Sequence, residues 1–400
     1  MSPYSSPRSV SSSTATVDVL RITEDAGFTT LRETWNRIAT ESPTASIFLT
    51  HEWFDSAWAW RRLDSALDLM VVRTPSQVIG ILPTIRGKTA TRRARTLQLL
   101  TVPDTQMSDV LAGTDALPRV ADALAAALAH RRDWDLLELN YLIPDGGALR
   151  WLAPALRARG LSLEDHDGGR NTFIDLQGGW SDFYATRSRR LKKANNLAAN
   201  RVKKAGEIRI ERIVEGVADK PAMAAAIEAA IAISGRSWKQ DTGNSLDQPG
   251  PRSFSTRLSE LSLGRGWMSL WLMHLNGRPV AMEYQLIDNG RVHALRSDFD
   301  RDCEDASPGS YLFRHLLESS FDCDLRRYYM GPGDNAYKLR WTDQGDPLRR
   351  LIVYNRTLRG RLAWLRDAVV KPRLRNLRRK LTRDVKPARA STDDKGNLEA

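Results

Sequence analysis

The sequence predicts an α/β (α+β) fold divided into two domains. Its 400 residues exceed what one hydrophobic core usually organises. Segments with strand and helix periodicity alternate over the first 165 positions, which is typical of a sheet layered with helices. After residue 266, three strand-like segments follow one another directly and a helical segment comes next. We therefore expect one domain at 17–165 and a second at 166–355.

Local signals place the elements of the first domain. Val17–Ile22 has the pattern of a first strand, and Thr50 is a candidate N-cap for an aromatic-rich helix. Two apolar segments at 67–73 and 78–83 are joined by a short polar turn and predict a hairpin. Charged residues and paired glycines at Glu164–Arg170 predict an interruption, which we take as the domain boundary.

Positive charge is concentrated in two segments. The net charge of the chain is +12, but residues 187–204 alone carry +8 and residues 356–386 carry +10. The remainder is therefore mildly acidic. This distribution disfavours nucleic acid as the partner and favours two local surfaces that face anions. The first lies in a predicted basic helix at Asp182–Lys204, which is either a solvated face or a wall of an acceptor groove.

The two ends of the chain differ from its body. Residues 1–16 are rich in Ser, Thr and Pro, which predicts a flexible leader. Residues 356–400 are predicted to form a basic amphipathic tail with a disordered end, because Leu362, Leu365 and Val369 recur at helical spacing among arginines. Such a tail can lie on an anionic membrane surface or pack on the body.

Composition also limits cofactor and location. Cys303 and Cys323 fit neither a metal-ligand spacing nor a disulfide framework, so no metal is expected. The sequence shows no secretory signal pattern and no stretch of about 18 apolar residues. We therefore expect a cytoplasmic protein.

The second half contains a clear meander. Asn276-Gly277 and Asn289-Gly290 are strong turn signals, and they separate predicted strands at Met268–Leu275, Pro279–Ile287 and Arg291–Ser297. A helix is predicted to follow the meander at Tyr311–Phe321, and a last strand at 348–354.

The residues just before that helix form a candidate anion site, at Ser307, Pro308, Gly309 and Ser310. The first amides of a helix lack intrahelical partners, and the helix dipole adds partial positive charge there. Pro308 leaves no amide unused, Gly309 permits close backbone approach, and Ser310 adds a hydroxyl. An ordinary capped helix start is the alternative interpretation.

The segment Trp267–Trp341 resembles the acetyltransferases associated with cellulose and exopolysaccharide biosynthesis (the CelD/BcsL type), a GNAT branch related to the FemABX aminoacyl transferases. Five elements match in order: Ser237-Trp238-Lys239, LNGRPVAMEYQL, SDFD ending at Asp300, SPGSYLFRHLLES and GPGDNAYKLRW. With the opening helix IFLTHEWFDSAWAW and the basic helix, the resemblance covers roughly residues 20–355. It implies two tandem GNAT-like domains, each a mixed, largely antiparallel sheet flanked by helices, with the first degenerate and the second catalytic.

The resemblance further implies direct acyl transfer from an acyl-CoA, most simply acetyl-CoA. Its pyrophosphate would be bound at Ser307, Pro308, Gly309 and Ser310. The chain lacks the commoner Q/R-x-x-G-x-G/A loop, as is expected of this branch.

Attack of an amine on a thioester requires a base, donors for the oxyanion and an acid for the thiolate. Glu283 is the candidate base, and strand alternation places it with Ala281 and Gln285 on a small, polar face that suits a groove or open solvent. Asp300 is a second candidate, with capping of its loop as the alternative role. Tyr337 is a candidate proton donor.

Acceptor binding is assigned to Lys239 and Lys338, because an ammonium group can contact a phosphorylated or acidic acceptor. Trp238 is assigned with them, because it stands next to Lys239 in the same loop. An ordinary surface lysine is the alternative for each of the two lysines. Asp298 is a further candidate carboxylate.

These observations predict an acyl-CoA-dependent N-acyltransferase that acts on an amine or hydroxyl of a cell-envelope polysaccharide precursor, such as a lipid- or nucleotide-linked sugar, or of a related metabolite. Two alternatives remain. One is a FemABX-like transferase that uses aminoacyl-tRNA, and the other is a non-catalytic GNAT scaffold at the membrane surface.

Overall fold

The computed structural model describes residues 16–87, 94–214 and 220–370. The helices are α1 (Asp25–Thr30), α2 (Arg32–Glu41), α3 (His51–Arg61), α4 (Leu117–His130), α5 (Ala153–Ala158), α6 (Trp180–Ala185), α7 (Arg189–Ala205), α8 (Lys220–Gly235), α9 (Pro249–Ser262), α10 (Pro308–Phe321) and α11 (Leu358–Trp364). The strands are β1 (Asp18–Ile22), β2 (Ser65–Leu67), β3 (Leu69–Arg73), β4 (Val78–Leu82), β5 (Thr84–Gly87), β6 (Thr96–Leu99), β7 (Leu111–Ala112), β8 (Leu136–Leu142), β9 (Ser162–Asp175), β10 (Ile208–Val214), β11 (Met268–Leu275), β12 (Arg278–Asp288), β13 (Arg291–Phe299), β14 (Arg327–Pro332) and β15 (Gly345–Tyr354). The predicted α+β class is confirmed.

Several local signals act as the sequence predicts. The hydroxyl of Thr50 accepts a hydrogen bond from the amide of Trp53 and thereby caps α3. Asn276 and Gly277 both have positive φ, +52° and +76°, and form the tight turn between β11 and β12. Pro308 lies in the first turn of α10, where its missing amide costs no hydrogen bond.

The larger sheet has eleven strands in the order β10-β11-β12-β13-β14-β9-β15-β8-β6-β5-β2. Helices α7 and α10 pack on one face of its C-terminal part, against a cluster that includes Ala281 and Tyr328. Helices α8 and α9 cover the other face, where Met282 and Tyr284 are buried. The alternation of side chains along β12 therefore divides that strand between two different environments.

The strand β15 connects the two halves of the chain within this sheet. It pairs with β8 and with β9, both antiparallel, and Leu351 lies between Leu139 and Asp165. The predicted interruption at Glu164–Arg170 is wrong, because β9 continues through these residues. Gly168 is needed there because a Cβ would lie 2.9 Å from the carbonyl oxygen of Leu348. The division at 165/166 into two domains stays a prediction.

The two halves also share a hydrophobic core. Helix α3 from the first half packs against α9 from the second, and the ring of Trp53 contacts that of Phe254 with centroids 5.2 Å apart. Arg257 on α9 donates to Asp55 on α3 at 2.9 Å. A smaller four-stranded sheet, in the order β1-β3-β4-β7, lies in the N-terminal half.

The predicted leader and most of the predicted tail lie outside the described residues. The described part of the tail forms α11, which Thr357 caps, and a π-helical turn at Leu365–Val370. No helix among residues 16–87, 94–214 and 220–370 is both long and apolar enough to cross a bilayer.

Candidate active site

A wedge between β13 and β14 opens the sheet in the C-terminal half. The two strands are parallel neighbours, but they pair only at Arg291–His293 and Arg327–Tyr329. Beyond these residues β14 pairs only with β9, with a register shift between Tyr329 and Gly331, and Gly331 has a φ of +84°. Residues 294–299 of β13 therefore have no strand partner on the side that faces β14. A strand edge of this kind can bind an extended ligand through its backbone.

A cavity of about 470 Å³ fills this wedge. It passes between the strands, because residues from both faces of the sheet line it. The α7 and α10 side contributes Leu191, Asn195, Gly309, Ser310 and Phe313, and the opposite side contributes Asp104, Trp238, Lys239 and Arg296. Backbone and side chains of β13, β14 and the segment 335–341 complete the walls. The Trp238-Lys239 motif and the segment 335–341, about 100 residues apart in the sequence, thus meet around one cavity.

The predicted anion site lies at one end of this cavity. Gly309 and Ser310 line it, whereas Ser307 adopts a left-handed conformation with a φ of +58° and Pro308 is buried behind. Space beside Gly309 is limited, because a Cβ would lie 3.0 Å from the ring of Phe299. The amides of Gly309 and Ser310 have no backbone hydrogen-bond partner among the described residues, so both are available to a ligand.

A cation stands beside the same helix start. The guanidinium of Arg201, on the basic helix α7, lies 3.5 Å from the hydroxyl oxygen of Ser307. The predicted basic helix is in fact two helices, since Ser188 caps a new start at Arg189. Residues Leu191, Ala194 and Asn195 of α7 line the cavity, whereas none of the basic side chains of α7 does. Both sequence interpretations of the basic face, as a solvated face or as a wall of an acceptor groove, therefore stay predictions.

Glu283 is buried directly behind the cavity rather than facing solvent. It is 1% exposed on the face of β12 that α10 covers, and it accepts hydrogen bonds from the hydroxyl of Tyr328 and from Nε2 of Gln285, the latter at 2.7 Å. Burial raises the pKa of Glu283 to about 7, although the hydrogen bonds from Tyr328, Gln285 and Ser297 oppose the rise. A carboxyl group with this pKa can accept a proton at neutral pH and release it again.

Two residues connect Glu283 with the cavity. Ser297 on β13 lies opposite Glu283 in the sheet, lines the cavity, and has its side chain close enough to the Glu283 carboxylate to lower the pKa of that group. Tyr337 also lines the cavity, and its hydroxyl has no hydrogen-bond partner among the described residues. The surrounding protein and the charge of Glu283 raise the pKa of Tyr337 to about 12, so its hydroxyl stays protonated at neutral pH.

Asp300 has a different environment from the one predicted for a catalytic group. It is fully buried outside the cavity lining and accepts hydrogen bonds from Arg236 and Arg278, each at 2.5 Å. It also accepts from the amide of Asp302, so it caps the turn that follows β13. Burial alone would raise the pKa of Asp300, but these donors hold it below its usual value. The geometry favours the structural role over the catalytic one.

The predicted acceptor-binding residues all line the cavity, but they differ in exposure and in the partners of their side chains. Trp238 is 50% exposed at its rim. The ammonium of Lys239 is paired with the buried Asp298 at 2.6 Å. Lys338 is buried, and its ammonium donates to the carbonyl oxygens of Gly331 at 2.7 Å and Pro332 at 3.0 Å. Burial lowers the pKa of Lys338 to about 8. Neither lysine is the surface residue of the alternative interpretation.

Sequence reasoning missed the contribution of the N-terminal half. The turn at 102–106 brings Asp104 and Gln106 to the cavity, where Gln106 donates to the carbonyl oxygen of Ala294 at 2.9 Å. Asp104 pairs with Arg296 of β13 at 2.6 Å. These contacts join residues about 190 positions apart, and no local pattern in the sequence marks them.

Comparisons with known proteins agree with this architecture. Residues 188–339, which include α7, α10 and the meander, match the family described as Acetyltransferase (GNAT) domain. Among solved structures, FemX is similar over 87% of this chain and 99% of its own, with 12% identity and a TM-score of 0.51. At this identity the likeness to FemX shows the fold alone. The predicted GNAT fold is thus confirmed.

Two other solved structures are similar at a lower level. A tandem GNAT protein from the clavulanic acid biosynthesis pathway has 12% identity, 85% and 98% coverage of this chain and its own, and a TM-score of 0.42. L-PGS from Bacillus licheniformis has 10% identity, 79% and 96% coverage, and a TM-score of 0.44. No curated protein has a significantly similar sequence.

Proposed function

We propose that the protein is an acyl-CoA-dependent N-acyltransferase that moves an acyl group, most simply acetyl, directly to an amine. The observation that carries this proposal is the cavity in the wedge between β13 and β14. It extends to the first amides of α10 at one end, and a carboxyl group with a pKa of about 7 lies behind its wall. The match of residues 188–339 to a GNAT acetyltransferase domain supports the same class.

The residues of this cavity suit the parts of an acyl-CoA. The amides of Gly309 and Ser310 would bind the pyrophosphate, and the guanidinium of Arg201 beside Ser307 would balance its charge. The edge of β13 beyond Ala294, whose carbonyl oxygen already accepts from Gln106, has no strand partner and would bind the extended pantetheine arm. The described residues contain no group of three His, Cys, Asp or Glu side chains that could hold a metal.

In this proposal the chain's own residues manage the protons. The bound acyl-CoA supplies a thioester carbonyl within reach of an amine. Glu283 receives the proton of the attacking amine through the Ser297 hydroxyl, since Ser297 lines the cavity and lies opposite Glu283 in the sheet. Tyr337 is protonated at neutral pH and donates to the departing sulfur. Amides on the free edge of β13 stabilise the negative charge on the carbonyl oxygen.

Calorimetry with acetyl-CoA tests the cofactor site. The wild-type protein should bind one equivalent, and Gly309→Val should weaken binding at least about tenfold, because its side chain would occupy space next to the helix amides. Gly179→Val is the matched control, since Gly179 also stands at a helix start but has open space around its Cβ position. If the wild-type protein does not bind acetyl-CoA, the assignment is wrong.

A FemABX-like reaction is the second candidate, and the exposed cations of α7 favour it, because they could contact the phosphates of an aminoacyl-tRNA. Filter binding with charged tRNA distinguishes the two. Saturable binding of charged tRNA, together with no affinity for acetyl-CoA, would support the second candidate. A protein that binds neither ligand would fit the scaffold hypothesis.

We also propose that the acceptor is a lipid- or nucleotide-linked sugar of the cell envelope, met at the inner face of the membrane. The sequence resemblance to the exopolysaccharide type supports the sugar. The geometry of α11 supports the membrane, because Gly360 and Ala363 face the body whereas Leu358 and Leu362 are 75% and 57% exposed. An apolar stripe among arginines suits an anionic lipid surface.

Vesicle sedimentation tests the membrane contact. Leu362→Asn should reduce binding to phosphatidylglycerol vesicles, while Leu63→Asn, which changes a leucine of similar exposure elsewhere, should not. Equal binding of both variants and the wild-type protein would remove α11 from the membrane contact.

A further inference from the structure

The side of the cavity opposite to α10 contains a carboxylate that the proposed reaction does not use. Asp104 lines the cavity and is 7% exposed. Its Oδ2 accepts a hydrogen bond from Nη2 of Arg296 at 2.6 Å, whereas its Oδ1 has no hydrogen-bond partner among the described residues. Because Asp104 lines the cavity, a ligand bound there can donate a hydrogen bond to this oxygen.

The position of Asp104 is fixed rather than accidental. Two reciprocal hydrogen bonds between Val102 and Thr105 close the turn that carries it, at 2.9 and 3.0 Å. Gln106 then fastens the turn to β13 by donating to the carbonyl oxygen of Ala294. The free oxygen is thus held at the cavity wall by contacts that do not involve it. A site of this kind is pre-organised for a ligand.

Charge in this part of the cavity is balanced without a ligand. Asp104 pairs with Arg296, and the neighbouring Asp298 pairs with Lys239. No charge is therefore required of a ligand. Because a carboxylate only accepts hydrogen bonds, a ligand that binds Asp104 must offer an N–H or O–H donor.

Asp104 and Glu283 also lie on opposite faces of the sheet. Tyr284, the neighbour of Glu283 on β12, points to the side of Arg296, and Glu283 points to the side of α10. In the proposed reaction the amine gives its proton to Ser297, which lies on the side of Glu283, so the group that Asp104 receives on the opposite side is distinct from the reacting amine.

We infer that the acceptor has a second hydrogen-bond donor, a hydroxyl or another amine, which Asp104 of the N-terminal half binds on the side of the sheet opposite to Glu283. This inference rests on the proposed acyltransferase function and narrows its acceptor to amino alcohols, amino sugars and diamines. The N-terminal half thus supplies acceptor specificity, while the C-terminal half binds the acyl donor. Asp104 is a positioning residue.

Saturation-transfer NMR with the full chain loaded with CoA tests the inference without requiring turnover. The probes are glucosamine, putrescine and cyclohexylamine, which offer hydroxyls, a second amine and no second donor. We expect glucosamine or putrescine to bind at least about tenfold more tightly than cyclohexylamine. Preference for glucosamine identifies a hydroxyl as the second donor, and preference for putrescine identifies an amine.

Asp104→Asn should remove most of this preference and leave the Kd of CoA unchanged. Glu52→Gln is the matched control, because Glu52 is also a buried carboxylate that pairs with an arginine of the other half, Arg265, but lies outside the cavity. Thermal unfolding reports whether each variant folds. Asp104→Glu, which keeps the charge, should retain part of the preference if Asp104→Asn unfolds.

Three results would overturn the inference. They are equal binding of all three probes, no binding of any probe to CoA-loaded protein, and an Asp104→Asn variant that folds and keeps the wild-type preference. Failure of CoA itself to bind is a separate result, since it contradicts the proposed function rather than the acceptor class.

Discussion

Replacing Glu283 with Gln should lower the turnover of the proposed reaction and, at alkaline pH, make the fold more stable. The carboxyl group is fully buried, and burial raises its pKa from 4.5 to about 7. The folded protein therefore holds this proton more tightly than the unfolded chain does. Its contribution to stability is fully present below pH 4.5 and is lost as the pH rises through 7.

The size of the effect follows from the same pKa. Each pH unit between 4.5 and about 7 corresponds to about 1.4 kcal/mol, so the ionised carboxylate destabilises the fold by about 3 kcal/mol above pH 7. Gln has nearly the same shape and keeps an oxygen for Tyr328, but it carries no charge. Glu283→Gln should thus raise the free energy of unfolding at pH 8 by up to about 3 kcal/mol and have little effect at pH 4.

The kinetic effect has the opposite sign. Loss of the proton acceptor should lower kcat by about 10²- to 10⁴-fold and leave the Kd of acetyl-CoA unchanged. In the wild-type protein kcat/KM should rise with pH up to about 7 and then level off, and this rise should vanish in the variant. Thiol release from acetyl-CoA, with the tightest-binding amine among the three probes as acceptor, measures kcat and kcat/KM.

Glu52→Gln is again the control, because hydrogen bonds from Asn36 and Arg32 and the charge of Arg265 hold the pKa of Glu52 below its usual value despite burial. Its loss should destabilise the protein at pH 8. A Glu283→Gln variant with wild-type turnover, or with an unchanged pH profile, would refute the role of Glu283 as the base. Equal stability of variant and wild-type protein at pH 8 would refute the argument that the buried, ionised Glu283 destabilises the fold.

Three other substitutions separate catalytic from structural roles. Ser297→Ala should lower kcat at least about tenfold without changing acetyl-CoA binding in calorimetry; wild-type turnover would show that Glu283 reaches the acceptor by another route. Lys338→Met should lower the free energy of unfolding in urea by about 1–3 kcal/mol, because the carbonyl of Gly331 loses a buried donor, and unchanged stability would contradict this. Asp300→Asn should likewise reduce stability while kcat is kept; a fall in kcat at wild-type stability would restore its catalytic role.

Features set by nearby residues could be predicted from the sequence. The cap at Thr50, the turn at Asn276-Gly277 and the helix start at Pro308 depend on backbone preferences within about four residues. The candidate anion site was predicted from the same kind of signal, and the structure places Gly309 and Ser310, but not Ser307 and Pro308, in the cavity lining.

Features that depend on distant strands could not be predicted. Alternation correctly grouped Glu283 with Gln285, but it could not show that α10 covers this face, so burial was missed. The paired glycines near residue 168 indicated a break, whereas Gly168 allows β15 to approach β9 closely. Asp104 reaches the cavity only because the halves pack together, and nothing near it in the sequence indicates a site.

The position of β15 has a consequence for how the chain folds during synthesis. The edge of β8 is covered by a strand made of residues 345–354, more than 200 positions later. Until the ribosome has released that segment, the N-terminal half presents the backbone of β8 uncovered. Exposed strand edges invite intermolecular pairing, and contacts of such long range form slowly. Chains that end before residue 345 should therefore aggregate or depend on chaperones, even though they contain all the strands that the N-terminal half itself encodes.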